Sequence, residues 1–150
     1  MCDYSLHGIR NRLAEEGEIL VVHRFFTGSK GLTSPEYLQP AERSRGFFAA
    51  IKRMFAPPPS ECAVCIPDGA RLSLVRMTSS FQQAHGFCST ESAIFRQLSA
   101  EAATYRDAVE FRNGVKLRIQ ELPEGQTVQV LTLSSQETEV RDQQRFVPFR

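Results

Sequence analysis

Ala108-Val109-Glu110-Phe111-Arg112-Asn113-Gly114-Val115-Lys116-Leu117-Arg118-Ile119-Gln120 sets two alternating segments on either side of an Asn-Gly pair. Asn-Gly is the strongest short-range hairpin signal, because both residues tolerate positive φ. In the second arm Val115, Leu117 and Ile119 face a core, and Lys116, Arg118 and Gln120 face water. Pro123-Glu124-Gly125 turns the chain again, and Thr127-Val128-Gln129-Val130-Leu131-Thr132-Leu133 reads as a further strand. Beyond Ser134 the tail is polar, with Phe146, Val147 and Phe149 placed to dock back.

Towards the N-terminus, Cys62-Ala63-Val64-Cys65-Ile66 and Arg71-Leu72-Ser73-Leu74-Val75-Arg76-Met77 read as strands. The turn Pro67-Asp68-Gly69 between them predicts a hairpin. Residues 78–92 are polar and irregular, and Ser92 to Leu98 fits helix or strand. Residues 8–17 are polar, with one possible helical turn at 11–16. Glu18 to Phe26 is β-branched and aromatic without strict alternation, which predicts a strand buried on both faces. Gly28, Gly31, Pro35 and Pro40 punctuate a loop over 27–45, of a length that is functional or mobile in a compact domain.

An amphipathic insert over 46–60 follows. Phe47, Phe48, Ile51, Met54 and Phe55 recur at helical spacing, and Pro57-Pro58-Pro59 stops the helix. Such a helix either caps one end of the domain, apolar face down, or touches a protein partner or membrane surface through Phe47, Phe48, Ile51 and Phe55. The cap is preferred, because the segment is short and its polar face carries only Lys52 and Arg53. Strands at short intervals without long alternating helices predict one mainly β domain over 1–150. It is a small antiparallel barrel or sandwich with one or two short helices.

Composition narrows the function classes. The chain has 150 residues, 41% hydrophobic and 23% charged, enough to bury a core. A formal charge of +1 gives no field for nucleic acid. Phe, at 11 copies, replaces the absent Trp as the large core residue. The N-terminal stretch lacks the apolar run of a signal peptide, so the chain is read as cytoplasmic. There its four cysteines are expected to stay reduced and available to metals or to chemistry.

Met1-Cys2-Asp3-Tyr4-Ser5-Leu6-His7 concentrates such groups. Cys2 and His7 are donors suited to zinc, copper or iron, and a curled segment brings them together. Removal of Met1 before the small Cys2 would add a free amine beside the thiol. A third ligand has to come from elsewhere, and Cys65 is the candidate. Cys62-x-x-Cys65 is half of a zinc ribbon only in spelling, because residues three apart on a strand point to opposite faces. One of the two faces inward, and an inward Cys65 meets the N-terminal segment. His23 lies within a strand and is read as a satisfied residue. His85-x-x-Cys88 is a weak loop pattern. A phosphate cradle, a Gly-x-Ser-x-Gly elbow and a His-Glu-x-x-His helix are absent.

Cys2-Asp3-Tyr4-Ser5-Leu6-His7 resembles the opening of a set of small uncharacterised bacterial proteins. Arg45-Gly46-Phe47, Ala63-Val64-Cys65 and Asp107-Ala108-Val109-Glu110-Phe111 are weaker matches to the same set. The resemblance carries over Cys2, His7 and Cys65, and leaves out Cys62, His23, His85 and Cys88. Similar proteins have a histidine just before the Asp-Ala-x-Glu-Phe stretch, where this chain has Tyr105 and Arg106. Residues 28–44 and 49–60 are extra length relative to the set. Three functions follow as expectations: a metal-binding protein with Cys2, His7 and Cys65 as ligands; a non-enzymatic interaction module using the Phe-rich 47–55 segment; and a hydrolase with Cys2 as nucleophile and its amine or His7 as base.

Overall fold

The computed structural model describes Leu6 and residues 8–38, 61–99 and 105–134. The 46–60 insert, the Phe146–Phe149 tail, and Cys2, Asp3 and His7 lie outside those residues. Nine strands are described: β1 Arg10–Leu13, β2 Ile19–Arg24, β3 Lys30–Thr33, β4 Cys62–Cys65, β5 Arg71–Val75, β6 Glu91–Gln97, β7 Asp107–Phe111, β8 Lys116–Arg118 and β9 Thr127–Thr132. Seven of them form one antiparallel sheet in the order β3-β2-β9-β5-β6-β7-β8, curled into a half-barrel. β1 and β4 form a separate parallel pair. Among the described residues no helix is long and apolar enough to cross a membrane.

The hairpin at Asn113-Gly114 is present, as β7 and β8, with Val109 opposite Leu117. Its turn differs from the two-residue expectation. Gly114 N–H donates to Phe111 O at 3.0 Å, and Phe111 N–H donates to Val115 O at 2.8 Å. Only Gly114 has positive φ, at 85°. This is a type I turn closed by a left-handed glycine, so Asn113 is spared the αL region. Its side chain instead accepts a bond from Val115 N–H at 3.1 Å. Leu117 and Ile119 enter the core as expected, although the strand ends at Arg118 and Ile119–Glu121 is a 3₁₀ turn.

The predicted β4–β5 hairpin does not form. Pro67-Asp68-Gly69 does turn the chain, but its polar groups are taken by β6. Gly69 N–H donates to Phe95 O, Phe95 N–H to Ala70 O, and Gln97 N–H to the Asp68 carboxylate. The turn therefore passes the chain from the parallel pair into the sheet, where β5 lies between β6 and β9. β2 is also not buried on both faces. Leu20 and Val22 are buried, whereas Ile19 is 53% exposed and Val21 is half-buried, which is ordinary one-sided alternation. Other differences are local. Residues 10–13 are strand rather than helical turn. Ser79–His85 is the one described α-helix, α1, ended by Gly86 at φ 72°. Within the 27–45 stretch, Lys30–Thr33 is strand and Pro35–Leu38 a 3₁₀ turn.

The core lies in the concave side of the sheet. Leu20, Val22, Leu72, Leu74, Phe95, Val109, Val128 and Val130 project from the sheet, and Val64, Ile66, Phe81 and Leu122 close over them. β4 is buried along its whole length, because the sheet's core lies against one of its faces and the N-terminal segment against the other. A bulge between Arg71 and Leu72, where β5 meets β9, adds to the local twist that curls the sheet.

Candidate functional site

The two faces of β4 have different neighbours, and side-chain alternation decides which cysteine meets which. Val64 belongs to the main core. Ala63 belongs instead to a small cluster with Leu6, Ile9 and Phe25. Period-two geometry then puts Cys62 on the Val64 face and Cys65 on the Ala63 face. The expectation that Cys62 and Cys65 point apart is met by a strand in which each faces a different layer.

The Ala63 face is covered by the start of the described chain. Leu6 and Ile9 are both buried, and Ile9 N–H donates to Leu6 O at 3.1 Å, closing a turn. Leu6 is fitted closely. A Cβ on Gly31 would lie 2.7 Å from Leu6 Cδ1 and 2.9 Å from Phe25 Cε2, so any larger residue there in β3 would force both side chains to shift. After this turn the chain runs as β1 alongside β4, with Arg10 opposite Cys62 and Leu13 opposite Cys65. Ala14 N–H donates to Cys65 O at 3.0 Å. Leu6, Gly31, Val64, Ile66 and Asp107 border one narrow cavity. The Tyr105-Arg106 positions immediately precede Asp107 at its rim.

Cys65 is buried and disulfide-bonded. Cys62, also buried, and Cys88, exposed, are free thiols. The expectation that all four cysteines are reduced is therefore corrected at Cys65. A sulfur held in a disulfide has no thiolate to offer a metal ion, so ligation by Cys65 requires reduction first.

The remaining histidines are accounted for. His23 Nε2 lies 3.2 Å from Glu61 Oε1, and its ring meets Phe25 edge-on at 4.9 Å. Glu61 Oε2 accepts Phe26 N–H. His85 ends α1, stacked on Phe87 and tilted against Phe81. Cys88 N–H donates to Glu91, and nothing draws the Cys88 thiol to His85. Among the described residues no group of three or more His, Cys, Asp or Glu side chains is arranged to hold a metal ion. Of Cys2, His7 and Cys65, only Cys65 lies among the described residues.

A polar cluster beside β1 has no sequence signature. Arg12 donates to both carboxylate oxygens of Glu18, and its Nε donates to Tyr37 Oη at 3.2 Å. Glu15 N–H donates to Glu18 Oε2 at 3.0 Å. The Arg12 hydrogen bonds hold the Glu18 carboxyl below its ordinary value, against the opposing effect of burial and with help from Glu15 N–H. The residues involved are separated by a turn and by β2 and β3, so only the fold brings them together. A group whose folded pKa is depressed stabilises the fold above its unfolded value, and that stability is lost as pH falls through the folded pKa. Glu18→Gln should therefore cost about 1–2 kcal/mol at neutral pH, a charge-assisted pair being replaced by a neutral one. The gap between wild type and variant in urea midpoint should close as pH falls below about 4.5, the unperturbed value. A gap that stays constant down to pH 3 would remove Glu18 from the account of acid stability.

An open concavity of about 390 Å³ lies on the outer side of the sheet between Arg71, Ile94, Arg112 and Leu131. Its acidic residue, Glu110, is engaged by Arg96 at 3.1 Å and Lys116 at 3.9 Å. Compared with protein families, curated proteins and solved structures, the chain matches none.

Proposed function

We propose that this chain is a small metal-binding protein whose ligands are Cys2, His7 and Cys65, taking zinc, copper or iron in the reduced state. The observation that supports it most is the neighbourhood of Cys65. It shares a strand face with Ala63, and that face is covered by Leu6 and Ile9, which bracket position 7 in the sequence. A thiolate and an imidazole from the N-terminal segment, joined by a thiolate from an inner strand, make a donor set suited to a borderline or soft ion. Three protein ligands leave a fourth position for water or the α-amine.

The test is metal uptake by the full chain kept in reductant. Reduced protein mixed with Zn²⁺ and dialysed should retain about one zinc per chain. Cys65→Ser and His7→Ala should each weaken retention at least about tenfold in competition with a chromogenic chelator. The same assay with Cu⁺ and Fe²⁺ identifies the preferred ion. Reduced wild type that retains none of the three would overturn the proposal.

A further inference from the structure

We infer that the concavity on the outer side of the sheet is a binding site for a small organic acid, an anionic group joined to an apolar body, with Arg112 as its anchor. Register and alternation lay the site out. Arg71 is opposite Ile94, and Ile94 is opposite Glu110. One step beyond the Ala93–Phe111 pair, the same register sets Ser92 beside Arg112. Ala93, Phe95, Val109 and Phe111 are buried in the core, so Ser92, Ile94, Glu110 and Arg112 face outward. Arg71 and Arg112 are two strands and two residues apart, roughly 12 Å between Cα atoms, so two extended guanidinium groups can close on one anion over β6. The bulge supplies the apolar end. β5 pairs Arg71 with Thr132 and Leu72 with Val130, which leaves Leu131 with no residue opposite it. Leu131 is exposed and lines the concavity together with half-buried Ile94. Bulges recur next to active sites because they re-aim a side chain.

Charge selects the ligand. Among the described residues, the charged ones lining the concavity are Arg71, Arg112 and Glu110. Glu110 is drawn aside by Arg96 at 3.1 Å and Lys116 at 3.9 Å. Arg112 is exposed, and among the described residues no hydrogen bond or ion pair holds its guanidinium. Cations therefore outnumber acids on this face, although the formal charge of the whole chain is only +1. A carboxylate matches the planar fork of an arginine with two parallel hydrogen bonds. Ser92 lines the same end and brings a hydroxyl donor. Ile94 and Leu131 give an aliphatic or aryl group a surface on which to leave water. A volume of about 390 Å³ falls within the range of small-ligand sites, about 300–1,000 Å³. A hollow of this size suits a molecule free in solution rather than a flat lipid surface. The site makes no use of Cys65 and does not depend on the metal-binding proposal.

The experiment titrates the full isotope-labelled chain with octanoate and follows backbone amides by NMR. Octanoate should bind with a Kd of about 1 mM or tighter. The largest shifts should fall at Ser92, Ile94, Arg112 and Leu131. Arg112→Gln should weaken binding at least about tenfold, through loss of the charge-assisted fork. Arg118→Gln removes an exposed cation of β8 that does not line the concavity, and should leave the affinity unchanged. Octanamide, which has the same chain without the charge, should bind at least about tenfold more weakly than octanoate. Dispersed amide spectra of both variants show that they are folded. Octanoate binding weaker than about 1 mM would overturn the inference. So would equal affinity for octanamide, equal losses in Arg112→Gln and Arg118→Gln, or shifts centred on another surface. Sedimentation with phosphatidylglycerol vesicles, without binding of monomeric octanoate, would overturn it in favour of a membrane surface.

Discussion

Phe95→Ala should lower the unfolding free energy by about 3–5 kcal/mol, the cost of deleting a buried aromatic side chain and leaving a cavity. Phe95 is 2% exposed and lies in β6, opposite Val109 of β7. Its backbone is bonded in both directions to the turn after β4, through Ala70 O and Gly69 N–H. It packs in the core that also takes in Val64, Ile66, Leu72 and Ile119, where the sheet and β4 meet. The surrounding strands are tied by ladder bonds and have little freedom to collapse into the space. For a chain of this length each kcal/mol moves the melting temperature by about 2–4 °C, so a fall of about 10 °C is expected. Ile94→Ala is the control. Ile94 is the adjacent residue, on the half-exposed outer side of the sheet, and should cost about 1 kcal/mol or less. Equal losses at Phe95 and Ile94 would mean that β6 is not buried on one face in preference to the other.

The second large effect belongs to the Cys65 disulfide. Removing a native disulfide typically costs about 2–5 kcal/mol. Cys65→Ala removes the bond at its described end and leaves a small apolar residue at that buried position. Under oxidising conditions Cys65→Ala should melt about 8–12 °C below wild type. Under reducing conditions the two proteins should melt together. A wild-type midpoint unchanged by reductant would show that the bond constrains nothing in the unfolded chain.

The parts of this fold legible in the sequence are those fixed by local chemistry. Gly114 had to turn because a left-handed residue closes the hairpin, and Leu117 and Ile119 had to point inward because Lys116 and Arg118 point out. Ala63 and Val64 were legible as strand residues, but not their partners, and the strand stops at Cys65, one residue short of Ile66. The parallel pairing of β4 with β1 joins residues more than fifty positions apart, and Arg10-Asn11-Arg12-Leu13 is too polar to announce a strand. α1 was missed because Ser79-Ser80-Phe81-Gln82-Gln83 carries one apolar anchor, Phe81, which only Phe87 and the rest of the core make sufficient.

For the site, the opposed directions of Cys62 and Cys65 could be read from strand geometry alone. That Cys65 is the one beneath the N-terminal segment could not, because it depends on Leu6, Ile9 and Phe25 gathering around Ala63. The Arg12–Glu18–Tyr37 cluster was equally invisible, since no spacing rule links a strand, a turn and a 3₁₀ segment.

The claim from which the metal-binding proposal proceeds is that Leu6 and Ile9 cover the Ala63 and Cys65 side of β4. Methyl-resolved NMR of the full chain tests it directly. Cross-peaks from the Leu6 methyls to the Ala63 methyl and to Ile9, with Leu6 shifted by the Phe25 ring, are the predicted result. Leu6 methyls at random-coil shifts, or with cross-peaks to another surface and none to Ala63, would contradict it.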